Sequence, residues 1–87
     1  MRIELIRTDG THEVVDRPYS EIRELIGADT LDSVRLPNGR TMLVDDTGHP
    51  KALPYNAEAT SLYHSICRPG TTHRILGDVA VVREGDL

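Results

Sequence analysis

Between two extended runs, "LDSVRL" and "RTMLVDD", the chain places Pro37-Asn38-Gly39. Asn-Gly is the pair that best tolerates two successive left-handed residues, the backbone that a type I′ hairpin turn demands. The two runs are therefore expected to be antiparallel neighbours, with Val34 and Leu36 leading in and Met42 and Val44 leading out. No other local feature fixes so much of the fold.

A second hairpin opens the chain. In "RIELIRT", Ile3 and Leu5 alternate with Arg2, Glu4 and Ile6, and Asp9-Gly10 follows as a tight turn before "HEVVD" returns. Pro18 closes this unit. The period then changes: in "YSEIRELIG", Ile22, Leu25 and Ile26 fall at i, i+3 and i+4, which stripes one face of a helix. Ser20 is placed to cap its start and Gly27 to end it in a left-handed conformation. About two turns long, such a helix depends on packing for its stability.

After the central hairpin, "DDTGHP" is turn chemistry. Pro54 biases Leu53 toward an extended backbone, and Asn56 is well placed to cap "AEATSLYHSIC", with Glu58 favourable in the first turn. Ala59, Leu62, Tyr63 and Ile66 are the expected apolar face, and Pro69-Gly70 the stop. The last run, "DVAVVRE", carries Val79, Ala80, Val81 and Val82 without interruption, which predicts a strand buried on both faces and hence central in its sheet. The order is ββαββαβ over one domain, 1–87. This is an α+β class: a mostly antiparallel five-stranded sheet with two short helices on one face or flanking it.

The core must be aliphatic, since the 87 residues include no Phe or Trp and only three Tyr. Each buried Val, Leu or Ile contributes about 1.5–3 kcal/mol, which leaves little margin against chain entropy. A homo-oligomer that hides more apolar surface is compatible with so thin a margin. The net charge of −4 argues against nucleic acid as partner, because phosphate-binding domains carry a basic face and here ten basic residues are scattered among fourteen acids. One Cys excludes an internal disulfide framework. No apolar run approaches a membrane span, and "MRIELIRTDG" lacks the apolar block of a signal peptide, so the expected location is the cytoplasm.

Several constellations of side chains bear on chemistry. His64 and Cys67 stand at i, i+3, with His73 beyond and His49 before, yet the spacing matches no zinc signature, and a lone Cys on a helix is usually a small hydrophobe; no metal or other cofactor is expected. Cys67 or Ser65 with a histidine lacks any nucleophile-elbow motif, and adjacent Asp45 and Asp46 diverge, so the reading is a non-enzyme. "CRPGTTHRILGD" is different. It gathers Arg68, Thr71, Thr72, His73 and Arg74 around a Pro-Gly turn, the donor types an anionic group requires. Against this stands the plain alternative of a polar loop in which Arg68 eases the helix dipole. Tyr55, between Pro54 and Asn56, serves either as a stacking surface or as packing for the core.

"LVDDTGHPKALPYNAEATSLY" followed by "ILGDVAVV" resembles a family of small proteins encoded by bacteriophages and mobile elements, catalogued as domain of unknown function 3846. The matching positions are Val44, Asp45, Gly48, Leu53, Pro54, Asn56, Ala59, Ile75, Gly77, Asp78 and Val79. The resemblance brings no catalytic residues. It implies an accessory protein, in the host cell's cytoplasm, that acts by binding, either sequestering a small signalling molecule of host defence or occupying a surface on a host protein. For an anionic, nucleotide-like molecule the expected site is Tyr55, Arg68, Thr71, Thr72, His73 and Arg74. For a protein partner, Asp29, Asp32, Asp45, Asp46 and Glu58 would meet a basic surface.

Overall fold

A computed structural model describes residues 1–46, 52–67, 70, 73–83 and 85. Its elements run β1 (Arg2–Ile6), β2 (His12–Asp16), α1 (Ile22–Ile26), β3 (Leu31–Leu36), β4 (Arg40–Asp45), α2 (Ala57–His64) and β5 (Val79–Arg83). This is the expected ββαββαβ order, and every strand pair in the sheet is antiparallel, in the order β2-β1-β5-β4-β3. The uninterrupted Val-Ala-Val-Val run sits at the centre and is buried on both faces.

Alternation along the strands sorts side chains to two cores. On one face Ile3, Leu5, Leu43, Ala80 and Val82 pack with Ile22 and Ile26 of α1. On the other, Ile6, Met42, Val44, Val79 and Val81 pack with Ala59, Leu62 and Tyr63 of α2 and with Ile75. The sheet thus lies between its two helices. A single two-sided layer of aliphatic residues makes up for the missing large aromatics, because each central residue finds apolar neighbours across strands as well as above or below.

Both hairpins follow from their turn residues, with differences in detail. Asn38 and Gly39 each take positive φ, 66° and 70°, as a type I′ turn requires, but the pairing closes one step early, at Leu36↔Arg40. Pro37 has no N–H to extend the ladder. The β1–β2 connection is wider than a two-residue turn: the Arg7 and Thr11 backbones pair across it, and Asp9 accepts from the Thr11 backbone N–H and hydroxyl. Two helix-end expectations are corrected. Ser20 caps nothing, since Pro18 starts a 3₁₀ turn over Tyr19–Glu21 that leads into α1 without a side-chain cap. Ile66 is 39% exposed, because α2 ends at His64 and the chain turns away before that position reaches the core. Gly27 does end α1, at φ 67°.

Candidate functional site

Asn56 organises the loop that carries Tyr55. It is 1% exposed, and its Oδ1 accepts the Ala59 backbone N–H at 3.0 Å, the capping role expected of it. Its Nδ2 does more: it donates to the carbonyls of Ile6 (3.0 Å) and Gly77 (2.9 Å), tying α2 to the end of β1 and the approach to β5. Around it the chain pairs with itself. Asn56 N–H donates to Ile75 O and Gly77 N–H to Pro54 O, with Tyr55 and Leu76 bridged between them. Thr60, buried on α2, accepts from the Ile75 N–H and donates back to its carbonyl. The Leu-Pro-x-Asn element is therefore a structural clamp, and its effect is to hold 54–56 against 75–77.

The clamp brings two of the expected site residues together. Tyr55 is 48% exposed, and the Arg74 guanidinium stands 5.5 Å from its ring centre, a cation–π arrangement. His73 faces elsewhere: its ring meets Tyr63 edge-on at 5.6 Å, and its carbonyl accepts from His64 Nε2 at 2.6 Å, which puts the proton on that nitrogen. Arg68, Thr71 and Thr72 lie outside the described residues, as does His49 of the weighed metal set. Among the described residues no group of three or more His, Cys, Asp or Glu stands close enough to hold a metal ion. Cys67 instead stands one turn after Tyr63 and is the main cause of that phenol's raised pKa; burial and the charge of Asp32 add to the shift.

Beside Arg74 lies a hollow of about 170 Å³, walled by Asp32, Asp45, Asp46, His73, Arg74 and Ile75. Asp32 and Asp46 reach this face together because the open end of the β3–β4 hairpin pairs Asp32 with Val44 and the Asp46 N–H donates to Thr30 O, while Asp45, opposite Leu31, turns its side chain to the α1 face. Among the described residues the exposed carboxylates of Asp32 and Asp46 outnumber the Arg74 guanidinium, so the hollow favours a cationic group over an anionic one. Sequence reasoning identified both the acids and the basic loop but gave them to different partners. It missed Thr60 and Leu76, which hold the corner in place; a hydroxyl next to Ala59 on the helix's apolar side is the signal that would have found Thr60.

Comparison with family models, curated proteins and solved structures finds no match for the chain. Among the described residues no helix is long and apolar enough to cross a membrane.

Proposed function

We propose that the protein acts by binding and has no chemistry of its own, and that it docks a protein partner that presents a Lys or Arg side chain. The observation that carries this reading is the hollow edged by the exposed Asp32 and Asp46, with the exposed Tyr55–Arg74 pair at its rim. Tyrosine and arginine are the residues that most often anchor interfaces, and a tyrosine held by backbone pairing loses little entropy when it is covered. The partner's cation enters the hollow while its surface packs on the Tyr55 ring. The resemblance stated above makes a host protein the expected partner.

A second reading is favoured by the Tyr55–Arg74 geometry taken alone: an anionic, nucleotide-like molecule of host-defence signalling whose base stacks on Tyr55 and whose phosphate meets Arg74. The neighbouring carboxylates oppose it. Titrating isotope-labelled protein with a hexapeptide of alternating Arg and Lys, and separately with adenosine monophosphate, distinguishes the two. The first reading expects peptide-induced amide shifts at residues 32, 46 and 74–76 that shrink with salt and vanish in Asp32→Asn/Asp46→Asn. Shifts that the double substitution leaves intact would refute it. Nucleotide-induced shifts that disappear in Arg74→Gln would establish the second.

A further inference from the structure

Among the described residues α2 covers only part of its face of the sheet, because an eight-residue helix cannot span five strands. At the end of the sheet away from the acidic hollow the strand register builds a row of like charges. Arg40 of β4 stands directly opposite Arg83 of β5. On the other side of β5 the Glu4↔Val81 pairing, continued one step outward on the same face, sets Arg2 of β1 beside Arg83. All three arginines line one hollow of about 180 Å³, together with Val81, Val14 and Glu4.

Three guanidiniums side by side oppose folding, since like charges directly across a ladder destabilise it. A chain with fourteen acids has ample means of neutralising them. Yet among the described residues none of the three makes an ion pair. Two described acids beside the row are engaged elsewhere: Glu4 lies 3.7 Å from His12 Nδ1, and Asp16, paired across from Arg2, binds the Met1 amino group at 3.0 Å. The row stays positive within an acidic protein.

We infer that the Arg2–Arg83–Arg40 row is a binding site for the phosphate group of a small molecule. Planar guanidinium forks match the oxygens of a phosphoryl or pyrophosphoryl group in bidentate fashion, and three of them converge on the hollow. At about 180 Å³ the hollow has room for such a group, and it is open on one side to whatever the group is attached to. Val14, 52% exposed at the margin, offers an apolar shelf for whatever the phosphate is attached to. A nucleic-acid backbone fits less well. It needs cations along an extended track, and here Glu4 and Glu58 border the row on the helix side of the same face. The site is independent of the Tyr55–Arg74 corner and does not rest on the function proposed there.

The test is a titration with sodium pyrophosphate, monitored by calorimetry and by thermal melting, with sodium chloride at equal ionic strength as reference. Pyrophosphate is expected to raise the melting temperature above the chloride reference, and Arg40→Gln/Arg83→Gln to weaken its affinity by roughly tenfold or more. Arg23→Gln, on α1 against the opposite face of the sheet, is expected to bind as the wild type does. The unliganded double variant should melt higher than the wild type at low salt, a gain that shrinks at high salt as screening removes the repulsion. No difference between pyrophosphate and chloride, or equal pyrophosphate affinity in the double variant, would overturn the assignment. So would tighter binding of a single-stranded oligonucleotide than of pyrophosphate at physiological salt.

Discussion

Replacing Asn56 by Ala removes one side chain and leaves three backbone groups short of a partner. The Ala59 N–H loses its cap, a cost of about 1 kcal/mol, and the Ile6 and Gly77 carbonyls each lose a donor at a site 1% exposed. Taking the low end of the range for buried unsatisfied groups, about 1 kcal/mol for each carbonyl, the total is about 3 kcal/mol. Domains of this kind have stabilities of about 5–15 kcal/mol, so the loss is a large share. At roughly 4–8 °C per kcal/mol for a domain of this size, the melting temperature falls by about 12–24 °C. Denaturant unfolding checks the figure, through a lower midpoint at unchanged slope. Asn56→Asp separates the two halves of the role. It keeps the acceptor for Ala59 but turns a carboxylate oxygen toward two carbonyls, so it is destabilised at neutral pH and regains stability on acidification, when the protonated acid can donate again. A loss below about 0.5 kcal/mol in Asn56→Ala, the range of an ordinary surface substitution, would refute the clamp.

Two further predictions follow from the same coordinates. Glu58 hydrogen-bonds His12 and, with Glu4 nearby, raises its pKa above the ordinary 6.5; a raised value means that the stabilisation is whole below that pH and is lost as the pH rises through the folded-state pKa. Thermal melts should therefore show a stability decline on the alkaline side of pH 6.5 that flattens in Glu58→Gln, and identical pH profiles for the two proteins would contradict it. Gly77 has φ +83° and a Cβ built there would stand 2.9 Å from Leu53 Cδ1, so Gly77→Ala should cost about 2 kcal/mol by chemical denaturation, with Leu53→Ala in the same chain recovering the part due to collision; a cost near zero would contradict it.

What the sequence made legible was whatever a local pattern encodes. Asn38-Gly39 announced its hairpin, the Val79–Val82 run its central position, and Asn56 its cap, because each depends on backbone preferences or burial within a few residues. Ser20 misled, since the geometry imposed by Pro18 took precedence over capping propensity. Ile66 misled because helical periodicity says nothing about where a helix stops. The Tyr55–Arg74 contact was half visible: both residues were singled out, but the bridge that joins them needs the Asn56 and Thr60 hydrogen bonds to Ile75. The arginine row was invisible. Arg2, Arg40 and Arg83 lie on three strands far apart in the chain, and only the order β1-β5-β4 and its register set them side by side.

The account holds that one sheet face carries two separate binding ends, an acidic one beside Tyr55 and Arg74 and a basic one at Arg2, Arg83 and Arg40. Amide chemical-shift mapping of a single labelled sample, titrated first with pyrophosphate and then with the Arg-Lys peptide, tests this most directly. The account predicts two non-overlapping sets of shifts, around residues 2, 40 and 81–83 for pyrophosphate and around 32, 46 and 74–76 for the peptide, each unaffected by the other ligand. Shifts from both ligands on the same residues, or none at either end, would contradict it.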